Sequence, residues 1–257
     1  MSMLKLKAPI KYQLHSFRHV FVIMYFCVYL FMLLIAVSRR FSVEIGSSSG
    51  LEGISAITIF VTGLNSFKDT FKFFSANGLS RKTTLRSTVA SLGILSAAFA
   101  FMDTVNSVLL SHIAVLRPLF LEIYGPRFGH TANWDAAYAG LSFTPKILVE
   151  NFIWIAFLYF LFSMAGLFIT TLYYRMNRVQ KIVVSIAVPM VVLNGIPFFD
   201  TFVSQGRFLA FLQSTGNAAM GITGGYNPYI GILSLFLSAA VLTFLTYLLA
   251  RRATVKK

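Results

Sequence analysis

The feature that most constrains the fold is a series of apolar runs, each about 20 residues long and separated by polar connections. A helix of that length crosses the hydrocarbon core of a bilayer, and lipid offers no hydrogen-bond partner for an open backbone. The sequence therefore predicts an all-α polytopic membrane protein with a single transmembrane domain over residues 1–257. The six predicted membrane-spanning helices cover residues 19–38, 51–74, 87–110, 147–173, 182–203 and 228–250.

The composition agrees with residence in a bilayer and argues against nucleic acid as a partner. Hydrophobic residues make up 57% of the chain and charged residues 12%, whereas soluble proteins carry about 25% charged residues. The net charge of +14 is spread over the ends of the apolar runs, and no motif typical of nucleic-acid binding accompanies it. We expect a multi-pass protein of the cell membrane whose basic residues lie beside the lipid bilayer.

The distribution of Lys and Arg predicts that both termini are cytoplasmic. With the N-terminus placed inside, 16 of the 22 basic residues fall on the cytoplasmic side, which is the side that collects Lys and Arg in membrane proteins. In this orientation residues 1–18 form a basic interfacial helix and residues 75–86 form a cytoplasmic turn. Residues 111–146 and 204–227 are the outer loops.

A stripe of polar residues follows the second predicted span. Its members recur at alternating spacings of three and four residues, which places them within an arc of about 100° on a helix. The members are Ser55, Thr58, Thr62, Asn65, Asp69 and Lys72. Because a polar stripe is costly against lipid, it faces either neighbouring helices, as small polar residues often do, or a water-accessible pathway.

The third predicted span carries a second polar set, and it contains an acidic residue. Ser96, Asp103 and Ser107 lie with Ala100 within an arc of about 60°. Asp103 lies farther inside a predicted span than the other acidic residues, and an intramembrane carboxylate is a candidate for a functional site. It accepts a hydrogen bond from a neighbouring hydroxyl or amide, or it lies near the outer interface, or it lines a pathway together with Ser96 and Ser107.

The sequence shows no motif for catalysis or for metal binding. It contains no G-x-x-x-x-G-K-[ST] phosphate loop and no H-E-x-x-H motif. No His–carboxylate cluster or close carboxylate pair lies within a predicted span, since Glu52 and Asp69 lie near the ends of the second one. We therefore predict that the chain is not an enzyme, has no metal site and binds no cofactor itself.

The connection after the second predicted span reads Asn77-Gly78-Leu79-Ser80-Arg81-Lys82-Thr83. Gly78 suits the C-terminus of one helix, and Ser80 suits the N-cap of the next. A basic loop of this kind either anchors the topology of the protein or serves as a contact surface for another protein.

This turn belongs to a layout that resembles the membrane subunit of ABC-2-type ABC transporters. The shared features are a basic N-terminal stretch, six spans with both ends inside, the turn itself and an apolar dip at residues 208–212 before the last span. The layout is similar to that of small permeases of Gram-positive bacteria, which export amphipathic peptides such as phenol-soluble modulins or confer resistance to peptide antibiotics. The long outer connection at residues 111–146 departs from a minimal permease of this type.

The resemblance implies a function and a set of partners. Residues 75–86 would be the coupling helix that docks on a separate ATPase subunit, which binds ATP and Mg²⁺. Two permease chains, either two copies of this one or this one with a paralogue, would export hydrophobic or amphipathic cargo such as peptides. The expected pathway lining is Ser55, Thr58, Thr62, Asn65 and Asp69 from the second span, with Ser96, Asp103 and Ser107 from the third.

Two other functions stay open at this point. One is a proton- or ion-coupled transporter that uses Asp103. The other is a non-transporting immunity protein that sequesters a peptide at the membrane without an ATPase.

Overall fold

The computed structural model describes residues 4–40, 51–113, 118–128 and 144–251. Within these ranges the protein consists of helices and turns and contains no β-strand, which confirms the all-α prediction. The first helices are α1 (Leu4–Arg40), α2 (Leu51–Asn65), α3 (Lys68–Ala76), α4 (Arg81–Ile113) and α5 (Leu119–Tyr124). The remaining helices are α6 (Pro145–Arg175), α7 (Arg178–Met190), α8 (Ile196–Phe199), α9 (Arg207–Ala219) and α10 (Pro228–Arg251).

Five helical stretches among the described residues are long and apolar enough to cross a membrane. These stretches are Leu6–Leu34, Arg81–Leu109, Pro145–Arg175, Arg178–Ser204 and Pro228–Arg251. They correspond to the first, third, fourth, fifth and sixth predicted spans. The chain is therefore compatible with residence in a membrane, and the second predicted span is the one whose structure differs.

The second predicted span, residues 51–74, consists of two helices rather than one. The helix α2 ends at Asn65 after 15 residues, and both the backbone N–H and the hydroxyl of Ser66 donate to the carbonyl of Gly63, at 3.3 and 2.8 Å. These bonds form a turn, after which α3 begins at Lys68. Because 15 residues rise only about 22 Å, α2 is shorter than the roughly 30 Å hydrocarbon core of a bilayer.

The predicted interfacial helix and the predicted first span form one continuous helix. The helix α1 has 37 residues and contains Pro9 near its start. Its first turns pack on the protein, since the ring of Tyr12 stacks on Phe73 of α3 at a centroid distance of 4.8 Å. The amide nitrogen of Gln13 also donates to the hydroxyl of Thr88 in α4 at 3.0 Å. The N-terminal turns of α1 are therefore tied to α3 and α4 instead of forming a separate element.

The helix α6 lies at the centre of the bundle, where α2, α4 and α10 all pack against it. Its contact with α2 is made through two glycines. Gly63 faces the backbone of Ser163, and Gly166 faces the backbone of Phe60 and Leu64, so close that a Cβ at either glycine would collide with the opposite main chain. Small residues permit this approach, which suits helices that associate by van der Waals contact in lipid.

The predicted fifth span continues through its two prolines instead of breaking. After Pro189 and Pro197 the helix widens into two π-helical segments, Val191–Gly195 and Asp200–Ser204, where the backbone N–H groups of Ile196 and Gln205 bond five residues back. A proline lacks the N–H that an α-helical ladder needs, and local π-turns absorb such interruptions. No side chain of α7 is buried within the chain, so this stretch meets lipid or another molecule.

The two predicted outer loops differ in how much of them the structure describes. Residues 114–117 and 129–143 of the 111–146 loop lie outside the described residues, and the part between them forms α5 and a 3-10 turn, Gly125–Phe128. The predicted apolar dip before the last span is the helix α9. The Asp200 carboxylate joins α9 to the preceding π-segment, because it accepts hydrogen bonds from the N–H groups of Phe208 and Leu209, both at 3.0 Å.

Candidate functional site

The turn between α3 and α4 has a defined local structure that its sequence explains. Gly78 adopts a left-handed backbone conformation with φ of 72°, and the N–H groups of Gly78 and Leu79 bond back to Ser75 and Phe74 at 3.2 and 2.9 Å. This pair of bonds is the Schellman motif, for which glycine is favoured at the left-handed position. The hydroxyl of Ser80 then accepts the N–H of Thr83 at 3.2 Å and caps α4, as the sequence predicts.

The predicted coupling residues divide into exposed and buried positions. Asn77, Gly78 and Ser80 are exposed, as are the basic residues Arg81 and Lys82. Leu79 is partly buried, and Thr83 is buried beneath the turn. Since Arg81 begins α4, the basic residues form the first turn of a long helix and not a separate short one.

A groove of about 620 Å³ lies between α1 on one side and α2 and α3 on the other. Four members of the predicted polar stripe line it, and they are Thr58, Thr62, Asn65 and Asp69. The lining therefore continues across the turn at Ser66, although the helix itself is interrupted there. Lys72, the last member of the stripe, is exposed and lies outside this lining.

The polarity of the groove is not uniform along its wall. The hydroxyls of Thr58 and Thr62 donate to backbone carbonyls four residues earlier, both at 2.8 Å, so their donor capacity is used inside the helix. Asn65 and Asp69 are exposed, and they present an amide and a carboxylate. The groove is thus most polar where α2 ends and α3 begins.

The opposite wall comes from α1, which sequence reasoning did not assign to the site. Gln13 and Ser16 contribute polar groups there, and Tyr12, Phe17 and Val20 contribute apolar ones. The steps from residue 13 to residues 16 and 17, and from these to residue 20, are three or four residues long, a spacing that indicates one face of a helix. The prediction of an interfacial helix over residues 1–18 left this face without a role in the site.

Asp103 lies in a separate, closed cluster and is only 4% exposed. Its carboxylate accepts the hydroxyl of Tyr25 from α1 at 2.9 Å and the hydroxyl of Tyr159 from α6 at 2.5 Å. The same hydroxyls lie within 3.0 Å of the Phe99 carbonyl and 3.2 Å of the Glu52 carbonyl, respectively. Asp103 therefore joins α1, α4 and α6 through hydrogen bonds to neutral groups, which is the way a buried polar group is accommodated.

The other predicted members of the site lie outside the groove. Ser55 and Ser96 are buried, and the hydroxyl of Ser107 donates to the Asp103 backbone carbonyl at 2.8 Å. The structure thus separates the predicted pathway residues into a groove set from α2 and α3 and a set buried in the bundle, which consists of Ser55, Ser96, Asp103 and Ser107.

Three further polar contacts connect the bundle around α5 and the start of α6, and sequence reasoning identified none of them. The Glu52 carboxylate is buried and accepts the N–H of Leu119 at 3.3 Å, so it caps α5. The Glu150 carboxylate accepts the hydroxyl of Tyr229 at 2.7 Å, and the guanidinium of Arg127 lies 5.6 Å from the centre of that tyrosine ring. Burial raises the pKa of Tyr124, whose neutral hydroxyl donates to the Met220 carbonyl at 2.8 Å.

These features define the class of the protein only coarsely, as a helical chain compatible with a membrane and with a polar groove between its helices. Among the residues that the structure describes, no group of three or more His, Cys, Asp or Glu side chains is placed to hold a metal ion. No protein-family model, curated protein or solved structure matches the chain.

Proposed function

We propose that this chain is the permease subunit of an ATP-driven exporter of amphipathic cargo, most simply a peptide. The observation that carries the proposal is the continuity between the polar groove and the exposed turn. Asn65 and Asp69 line the groove, α3 follows it, and the turn at residues 77–82 comes next along the chain. A movement imposed on the turn therefore reaches the groove through one nine-residue helix.

The groove suits a cargo that has one polar and one apolar face. It offers an amide, a carboxylate and hydroxyls on one part of its wall and rings and aliphatic groups such as Phe17 and Ile57 on another. A polar group in lipid without a partner costs several kcal/mol, roughly 2–7, and the polar wall lowers that cost. A volume of about 620 Å³ is that of a pocket for a small ligand, so the groove holds a segment of a peptide at a time.

The energy source in this proposal is a partner chain. The sequence contains no phosphate loop, so ATP and Mg²⁺ belong to a separate ATPase subunit. The exposed turn carries two cations, Arg81 and Lys82, beside the partly buried Leu79, a combination that suits a polar and apolar docking surface. A second permease chain, identical or paralogous, completes the pathway, and the mostly exposed fifth predicted span, residues 182–203, provides free helical surface for it.

The buried carboxylate gives less support to a proton- or ion-coupled transporter. Asp103 is closed in by Tyr25 and Tyr159 and is not among the residues that line the groove. A carboxylate that carries protons across a membrane needs contact with water or with a relay of ionisable groups. The contacts of Asp103 instead join three helices, which is a structural role.

The test of the proposed function is a search for the ATPase partner followed by a change in the turn. The tagged chain, purified from its native membrane in mild detergent, should retain a nucleotide-binding subunit at equal stoichiometry, which mass spectrometry measures. Leu79→Asp should reduce both the retention of that subunit and cargo-stimulated ATP hydrolysis by roughly tenfold or more, since a charge then faces the docking surface.

Val179→Asp is the matched control, because Val179 is an exposed apolar residue in the first turn of α7. This variant should retain the ATPase subunit at the wild-type level. Purification of the chain without any nucleotide-binding partner, or equal behaviour of the two variants, would count against the exporter and favour the immunity protein or another class.

A further inference from the structure

A second cavity, of about 290 Å³, lies between the start of α4 and the end of α10. These two helix ends are joined by a hydrogen bond from the Arg81 guanidinium to the Arg251 carbonyl at 3.0 Å. Both ends are also the ends of candidate membrane spans, Arg81–Leu109 and Pro228–Arg251. In a membrane the cavity therefore lies where the hydrocarbon core gives way to the headgroup layer.

The lining of this cavity combines cationic and apolar side chains. Arg81, Lys82 and Arg251 supply three positive charges, and no acidic residue of the described part of the chain lines the cavity. Leu85, a buried side chain, lines it together with Tyr247 and Ala250. Arg and Lys are the side chains that bind phosphate oxygens by charge-assisted hydrogen bonds, and the apolar side chains suit the glycerol and upper acyl region of a lipid.

The charge in this region extends along the sequence beyond the cavity. After Arg251 the chain reads Arg252-Ala253-Thr254-Val255-Lys256-Lys257. Clusters of basic residues next to a membrane helix attract anionic lipids, and basic pockets between membrane helices bind their headgroups. The sequence context and the cavity thus point to the same ligand chemistry.

We propose that this cavity is a binding site for the phosphate group of an anionic ligand, and its place at the ends of two membrane-spanning helices favours the headgroup of an anionic phospholipid. A volume at the lower end of the roughly 300–1,000 Å³ of ligand pockets accommodates a headgroup and leaves the acyl chains outside, in the bilayer. The cavity shares Arg81 and Lys82 with the proposed docking turn. Lipid binding needs neither the ATPase partner nor cargo, so the experiment below tests the cavity separately from the export function.

The experiment uses the purified full-length chain in mild detergent with an equimolar mixture of phosphatidylglycerol and phosphatidylcholine. Native mass spectrometry counts the lipids of each kind that stay bound. The wild type should prefer phosphatidylglycerol, and Lys82→Gln combined with Arg251→Gln should lower that preference roughly tenfold or more, because two cations near the phosphate are lost. Inorganic phosphate is added in a parallel series as a competitor.

The control is Lys146→Gln combined with Arg207→Gln, which removes the same charge from exposed residues outside the cavity. It should keep the preference for phosphatidylglycerol within about twofold, since surface charges away from the headgroup contribute little. Lys82→Arg combined with Arg251→Lys keeps the charge and should restore binding. If the double Gln variant does not fold, the single variant Lys82→Gln is measured instead, because Lys82 is exposed. Its preference for phosphatidylglycerol should fall roughly threefold.

Two results would overturn the site. One is an unchanged preference for phosphatidylglycerol in the double Gln variant, and the other is an equal loss in the control variant, which would assign the binding to general surface charge. Displacement of phosphatidylglycerol by millimolar inorganic phosphate would retain a phosphate site in the cavity and would overturn the lipid headgroup as its ligand.

Discussion

Replacement of Gly63 by alanine tests the packing on which the bundle depends. A Cβ at this position would lie 3.1 Å from the carbonyl carbon of Ser163 and 3.2 Å from its Cα, and closer still to the carbonyl oxygen. All three atoms belong to the backbone of α6, so no side chain can rotate away. The variant can relieve the collision only if α2 and α6 move apart by roughly 1 Å, and a gap of that size removes a quarter to a half of the dispersion energy of each contact.

The cost of this separation can be estimated from known overpacked cores. Extra methyl groups in a packed interior destabilise by roughly 1–3 kcal/mol, while alanine in place of glycine in a helix contributes up to about 1 kcal/mol in the other direction. Because the opposing atoms here are main-chain atoms, we expect the upper part of the range and a net loss of about 2 kcal/mol. For a chain of this size that corresponds to a decrease in Tm of roughly 4–8 °C.

The assay is thermal unfolding of the detergent-solubilised chain, followed by far-UV circular dichroism and by tryptophan fluorescence, to which the buried Trp154 contributes. Gly53→Ala on the same helix is the matched control, because nothing lies within 4 Å of a Cβ there. This variant should leave Tm unchanged or raise it slightly, because alanine has a higher helix propensity than glycine. A Tm for Gly63→Ala equal to that of Gly53→Ala would refute the close helix contact.

Three further predictions concern the Asp103 cluster and the groove. Tyr159→Phe removes a donor to the buried Asp103 carboxylate and should destabilise the protein by about 1–3 kcal/mol. The control Tyr173→Phe loses an exposed hydroxyl contact and should change stability by less than about 0.5 kcal/mol. Equal Tm values for the two variants would contradict the structural role of Asp103. Asp103→Asn should retain ATP-driven export in vesicles, and a complete loss together with the loss of any response to a pH gradient would favour the proton-coupled alternative. Asn65→Leu should lower cargo export roughly two- to tenfold, as expected for one lost hydrogen bond. The control Val61→Leu adds volume to the same groove without changing its polarity and should retain most of the export activity. A larger loss of export in Val61→Leu than in Asn65→Leu would indicate that side-chain volume rather than polarity controls export.

The sequence by itself determined the elements that depend on local chemistry. Apolar runs of membrane length are helices because lipid cannot satisfy an open backbone, and five stretches of the structure meet that requirement. The positive φ of Gly78 and the cap at Ser80 were also predictable, since both depend on bonds within a few residues. The same local reasoning placed Thr58, Thr62, Asn65 and Asp69 on one face, although it could not state which neighbour that face meets.

The tertiary structure alone decided which residues meet. The apolar pattern of residues 51–74 runs through Ser66 without a signal, so the division into α2 and α3 was not predicted; the structure shows it in the bonds from Ser66 to Gly63, and Gly63 itself packs on α6. Asp103 accepts hydroxyls from residues 78 and 56 positions away in the sequence, and the register of three helices sets those distances. The periodicity of a sequence defines the faces of a single helix. Which faces pair depends on how each helix packs against all the other helices at once, and a single sequence does not show the combined packing.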